Sequence, residues 1–228
     1  MDSLITVQKS ANISLWIQII TGIVSLHGLF INVPSRNQIL VEILKLEVGV
    51  QFVEFAFYYW MVSNFASFKS IHNLASMRYL DWFITTPIML LATIAFMKHQ
   101  EQKDKRIYVT MKDFIQEHSS DVKNLFIYNF LMLIFGLLGE RNILPQYISV
   151  SIGFYFFVKA FSIVKSFGYK SDTGKYLFQF MFFIWGLYGV AALYPVNKKN
   201  IYYNILDNYF SLLKKFPVFN FINFITKT

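Results

Sequence analysis

Apolar runs about as long as a membrane crossing alternate with short polar stretches along most of the chain. A helix needs roughly 20 mostly apolar residues to cross the hydrocarbon of a bilayer. Such runs lie near 12–33, 46–68, 76–97, 122–140, 146–167, 176–194 and 201–225. The last is interrupted by Lys214, Lys215 and Pro217. No internal repeat or low-complexity tract divides them. The pattern predicts an all-α protein, a single domain over 1–228 built as a seven-transmembrane helix bundle, with lipid as its surroundings. Residues 98–121 form the one long loop, with room for a short interfacial helix.

Composition supports this reading. Of 228 residues, 55% are hydrophobic and only 15% charged, where soluble domains carry about a quarter charged residues. Lys and Arg set the orientation. With the N-terminus outside and the C-terminus inside, the inner loops hold Arg36, Lys45, Lys98, Lys103, Lys105, Arg106, Lys112, Lys123, Lys165, Lys170 and Lys175. The outer side then holds only Lys9, Lys69, Arg141, Lys198 and Lys199. The opening "MDSLITVQKSAN" has no basic start, apolar core or small-residue cleavage site, so the first span is expected to serve as targeting signal. The net charge of +8 is shared among loops rather than gathered on one helix or aromatic platform, which argues against nucleic acid as a partner. There is no cysteine, and His27, His72, His99 and His118 lack ligand spacing, so no metal site is expected. No nucleophile–base pair, phosphate loop or zinc motif is present, so an enzyme is not expected. The sequon "NIS" at Asn12 lies against the first span, too close to it for use.

Ionisable groups inside spans are costly, and they usually face the bundle interior in pairs at a working site. Arg78 and Asp81 are three apart on the third span, hence on one face, with Thr85 a turn further. Glu47 and Glu54 share a face of the second span, and Tyr58 follows at i+4. Asp207 interrupts the seventh span, while Trp185 and Tyr188 share a face of the sixth. Spacing alone leaves two readings open: a working site, or a polar knot that only holds helices together.

The stretch "RYLDWFITTP", residues 78–87, resembles the third-helix signature of the microbial (type 1) rhodopsins. "WGLY" at Trp185–Tyr188 resembles the family's retinal-packing segment, and "NILD" ending at Asp207 resembles the site of its second aspartate. Short loops and Phe/Tyr/Asn-rich wording look most like the rhodopsins of large algal and protist DNA viruses. The resemblance implies retinal as cofactor, held as a protonated Schiff base on a seventh-helix lysine. Asp81 and Asp207 would be its counter-ions, with Arg78 below them and Thr85 bonded to Asp81. Photoisomerisation would move the cation relative to Asp81 and pass a proton to it. Trp82 and Trp185 would sandwich the polyene, Tyr188 would bond Asp207, and Asn129 would bond across to the third span. Gly136 and Gly153 would let helices or the retinal ring approach. Relatives commonly form homotrimers or pentamers, which makes a homo-oligomer the expected assembly.

Four positions depart from the family. The lysine should stand one turn after Asp207, and that position is Ser211. Either the C-terminal wording is altered, as by a frameshift, or the protein is a lysine-less rhodopsin, or Lys214, Lys215 or Lys159 substitutes. Lys214 and Lys215 lie about 10–12 Å beyond Asp207 along a helix. The position of an inner-side proton donor, eleven residues after Asp81, is Ala92, which disfavours fast pumping. Glu54 falls where the family's cation channels carry a gate glutamate, and with Glu47 it makes an acidic row suited to cations. Gly189 stands where relatives usually have proline, and Ala192 replaces a pocket aromatic. The expected function is a retinal photoreceptor that moves cations or protons, a light-gated channel ahead of a pump. A photosensor that signals through a partner, and a member that does not bind retinal covalently, are the alternatives.

Overall fold

A computed structural model describes residues 2–34, 37–67, 71–102 and 110–213. Its long helices are α1 (Asp2–Gly28), α2 (Gln38–Ser63), α3 (Ile71–Gln102), α5 (Ser119–Glu140), α6 (Gln146–Gly168), α7 (Asp172–Ala192) and α8 (Val196–Leu213). One short helix, α4 (Met111–Glu117), lies in the long loop before α5. The long helices close into a bundle in chain order, with α8 returning against α1. α3 also meets α6, α7 and α8, which places its Arg78–Thr85 face at the centre.

The bundle interior holds polar side chains beside an apolar core that includes Leu90, Ile94, Leu125 and Phe161. Polar side chains on the long helices turn inward: Ser14, Gln18, Gln51, Arg78, Asp81, Thr86, Asn129, Asn204 and Ser211 are all buried. Large apolar ones turn outward, among them Trp16, Phe52, Leu80, Tyr155 and Phe183. Lipid solvates the second set but not the first. Four helices, α1, α3, α5 and α6, are long and apolar enough to cross a membrane by length and composition alone. α2 and α8 also carry the bundle's inward-facing acids, Glu54 and Asp207 among them.

Helix limits differ from the hydropathy runs for a physical reason. α1 starts ten residues before the run at 12, and Ser10 in this extension meets α8, where Asn204 Nδ2 donates to its Oγ at 2.7 Å. α8 is described only to Leu213, so Lys214 and Lys215 lie outside the described residues. Pro87 sits within α3 without ending it. The hydroxyls of Thr85 and Thr86 donate to the carbonyls of Asp81 and Trp82 in the turn that Pro87 interrupts, one of the ways membrane helices absorb a proline. α4 is fixed by a capping box between Thr110 and Asp113 and by Met111 N–H donating to Glu42 at 2.6 Å. The turn between α5 and α6 places Asn142 at φ 55°, which asparagine tolerates better than most residues.

Candidate functional site

Arg78 on α3 is fully buried and forms the hub of a polar network. Its guanidinium donates to Asp207 Oδ2 at 3.0 Å and to the Tyr58 hydroxyl at 3.2 Å, and it also bonds Asn204 Oδ1. Asp207 is held from three sides: Tyr58 donates to Oδ2 at 2.5 Å, Tyr188 to Oδ1 at 2.6 Å, and Arg78 completes the ion pair. Phe57, Tyr58 and Tyr203 surround the guanidinium within 6 Å of their ring centres, the range of cation–π attraction. An arginine at the centre of a membrane helix costs about 2.5–3.5 kcal/mol on insertion scales. Pairing it with a carboxylate and two further acceptors offsets that cost.

A cavity of about 950 Å³ of empty space opens beside this network, part of it continuous with the surroundings. Its polar wall carries Glu54, Tyr58, Asp81, Thr85 and Asp207. Its apolar wall is aromatic, from Trp82, Phe154, Phe157, Trp185, Tyr188 and Phe210. The two tryptophans are locked by edge-on neighbours, Trp82 by Tyr79, Tyr188 and Tyr203, and Trp185 by Phe161. Gly136 and Gly189 leave room for rings. A Cβ at Gly136 would stand 2.5 Å from the Tyr79 hydroxyl, and one at Gly189 would overlap the Phe154 ring.

Most residues that the sequence singles out thus converge on one space. Trp82, Trp185, Tyr188, Gly136, Glu54, Tyr58, Asp81, Asp207 and Thr85 line it. Asn129 stands behind Thr86 and donates to its hydroxyl at 2.8 Å, joining α5 to α3. Thr85 bonds the backbone carbonyl of Asp81 at 3.0 Å, because at i+4 on a helix its hydroxyl reaches that carbonyl. Glu47 is half-buried on α2 and is not part of the cavity lining.

Ser211 occupies the place of the expected lysine, and other side chains are built around it. Gln18 of α1 donates to its hydroxyl at 2.8 Å, Gln51 of α2 bonds the Gln18 side-chain oxygen, and the Ser211 hydroxyl reaches Glu54 Oε2 at 3.5 Å. Among the described residues, no lysine, arginine or histidine lines the cavity. Lys159, read from the sequence as a possible substitute, is exposed on α6 with its ammonium 5.6 Å from the Tyr155 ring centre. It points away from the cavity because its helix turns Gly153, Phe154 and Phe157 inward instead.

Three sets of site residues escape the sequence reading. Asn204 lies inside "NILD", three residues before Asp207 and so on the same face. Gln18 belongs to a stripe, Ser10, Ser14, Gln18, Thr21 and Ser25, whose spacing of three and four marks one inward face of α1. Lys199 and Glu140 form a buried ion pair of 2.7 Å between α8 and the end of α5. The sequence places Lys199 with the outer loop charges and offers no signal for its partner.

A family model described as bacteriorhodopsin-like protein matches residues 9–216. Among solved structures, the chain is similar in fold to viral rhodopsin OLPVRII, with 22% identity over 96% of this chain and 98% of that one, at a TM-score of 0.82. It is similar to Acetabularia rhodopsin I, with 15% identity over 98% and 96% of the two chains and a TM-score of 0.74. A third likeness is to xanthorhodopsin, a light-driven ion pump with dual chromophore, with 14% identity over 93% and 92% and a TM-score of 0.69. No curated protein matches the chain in sequence.

Proposed function

Starting from the fact that the chain belongs to the bacteriorhodopsin-like family, an integral multi-pass membrane family rather than a family of enzymes, we propose that it is a retinal-type photoreceptor protein that conducts cations or protons. The observation that carries this reading is the cavity where Trp82, Trp185 and Tyr188 meet Asp81 and Asp207. An elongated polyene fits the aromatic wall, and the acidic wall suits a positive end. The anchor does not fit: Ser211 has no amine and is engaged by Gln18. A bound retinal-type molecule would supply light absorption, and the chain's own residues supply the rest.

Arg78, Tyr58 and Tyr188 hold the Asp207 side chain in place, and Asn204 braces Arg78 and Tyr58 behind it. Asp81, one turn from Arg78 on α3, is a second acid on the same wall, suited to accept or release a proton. Glu54 lines the same cavity from α2, and Glu47 lies two turns before it on that helix face. Negative groups along one helix lower the barrier for cations in a poorly hydrated passage. Ala92, buried among apolar neighbours where an inner proton donor would stand, disfavours pumping. A channel is therefore favoured over a pump. With the N-terminus outside, the Glu54-to-Glu47 row runs toward the inner surface, and tags at either terminus of intact cells test that orientation by antibody access.

Light-evoked whole-cell current in cells supplied with all-trans retinal tests the conductor. The wild type and Ser211→Lys are recorded together, the second restoring the anchor. A current whose sign follows the membrane voltage, changed by Glu54→Gln, supports a channel. Pigment without current in either form points instead to a sensor that signals through a partner.

A further inference from the structure

We infer that Glu140 and Lys199 seal one end of the cavity, and that an ion passing between the cavity and the medium at that end must part them. The end in question is the one formed by the α5–α6 turn and the start of α8. The seal rests on geometry, and its use as a gate rests on the conduction proposed above. Three observations carry it.

The first is register. Gly136 on α5 and Tyr203 on α8 line the cavity. Glu140 lies four residues after Gly136, and Lys199 four residues before Tyr203. Each therefore stands on the same helix face as its lining residue, about 6 Å nearer the helix end. Tyr79, whose hydroxyl reaches Gly136, and Tyr203 are both edge-on to Trp82 and belong to the cavity wall beside the pair.

The second is reach. α5 packs mainly on α3 and α6, and α8 on α1, α3 and α7. The 2.7 Å contact between Lys199 Nζ and Glu140 Oε1 therefore joins helices that are not neighbours in the bundle. It crosses the end of the bundle rather than stitching a helix–helix seam. A lysine near a helix end ordinarily extends its ammonium into water, as exposed Lys198 does. Lys199 turns inward instead, and the two paired side chains are only 8% and 2% exposed.

The third is the contrast with the opposite end. Met89 on α3, Met132 on α5 and Phe157 on α6 line the cavity, and beyond them the bundle is filled by Ile94, Leu125 and Phe161. Parting such a core exposes hydrocarbon to water. Parting an ion pair returns two charges to hydration, which offsets much of the attraction lost. The Glu140–Lys199 end is therefore the easier of the two to open to water.

The test measures access to the cavity. The chain has no cysteine, so one introduced thiol reports without background. Leu133→Cys places it on the cavity wall, seven residues before Glu140 on the same face of α5. The full-length protein in nanodiscs is treated with a charged methanethiosulfonate, which travels through water, and the gain in mass is followed with time. With the native pair, labelling should be slow. Glu140→Ala with Lys199→Ala removes both charges and strands neither. It should speed labelling about tenfold or more, since access tracks the open population. Reversal of the pair, Glu140→Lys with Lys199→Glu, should bring the rate back toward the native one. Leu125→Cys, fully buried in the core at the other end, should stay slow in every background and shows that the bundle is intact. If it labels in the double alanine variant, the milder Glu140→Leu with Lys199→Ala decides.

Equal labelling of Leu133→Cys with and without the pair overturns the inference, whether both rates are fast or both slow. A reversed pair that labels as fast as the double alanine variant overturns it too. None of these readings needs retinal or light. If removing the pair opens the cavity while no form of the protein carries a photocurrent, the seal stands and the conduction reading fails. If photocurrent flows while labelling ignores the pair, conduction stands and the seal fails.

Discussion

Gln18 on α1 and Ser211 on α8 are joined by a hydrogen bond of 2.8 Å between residues 193 positions apart in the chain. The bond involves the residue at which the sequence leads one to expect a chromophore's anchor, and it ties the first long helix to the last. Ser211→Ala removes the acceptor and leaves the Gln18 amide buried without it. The expected cost is about 1–3 kcal/mol, seen as a lower unfolding temperature in detergent. Ser211→Ala combined with Gln18→Leu and Gln51→Leu should recover part of that loss, because the buried amides that lose their partners are then gone as well.

The Arg78–Asp207 pair is expected to behave as a unit. Arg78→Gln strands Asp207 among Tyr58 and Tyr188 and should destabilise the bundle by about 3–5 kcal/mol. Asp207→Asn should do comparable damage by stranding the guanidinium. The double variant should be less unstable than the sum of the two. A double-mutant cycle on thermal unfolding reads the difference, and additive losses would mean that the 3.0 Å contact contributes nothing.

The same logic applies at the other buried pair. Lys199→Met or Glu140→Gln alone leaves one charge buried at the α5–α8 contact and should cost about 3–5 kcal/mol. Lys199→Met with Glu140→Leu should be close to neutral, or stabilising. Unfolding temperatures of the three variants check this directly.

Gly189 carries the packing of α7 on α6. Gly189→Ala would drive a methyl into the Phe154 ring, and overpacking of this kind costs about 1–3 kcal/mol. Phe154→Leu in the same chain should relieve it. Recovery of the unfolding temperature in the double variant is the expected result.

The cap of α4 gives a pH dependence outside the membrane. The Thr110 side chain, then its backbone N–H, bonds Asp113 and holds its carboxyl below the ordinary carboxylate range. A folded value below the unfolded one means that the cap's contribution is complete above the unfolded value. It is lost as pH falls through the lowered folded value. Amide protection at Asp113, taken relative to the intrinsic exchange rate at each pH, should therefore fall only in acid, and Asp113→Asn should remove that dependence.

How much of this is legible in the sequence depends on how each signal is written. Apolar runs of membrane length give the bundle, and Arg78, Asp81 and Asp207 stand out because charge inside such runs is rare. Trp82, Trp185 and Tyr188 are found through a motif. Helix starts are harder to see: α1 and α2 begin in polar wording whose inward-facing side chains offset their cost by bonding to other helices. Asn204 and the stripe through Gln18 are visible as spacing, but uncharged polar residues are common enough to pass unnoticed. The Glu140–Lys199 pair is invisible, since only the fold brings position 140 to position 199.

The central claim is that the cavity is a retinal-type pocket with Ser211 at the position expected for its anchor, and Ser211→Lys with all-trans retinal tests it most directly. Condensation of the new amine with the aldehyde, with loss of water, should give a visible band that hydroxylamine bleaches. Asp81→Asn should then shift that band to longer wavelength, because a buried cation has lost a negative neighbour. A stable, folded Ser211→Lys protein that yields no visible band with retinal would contradict the account.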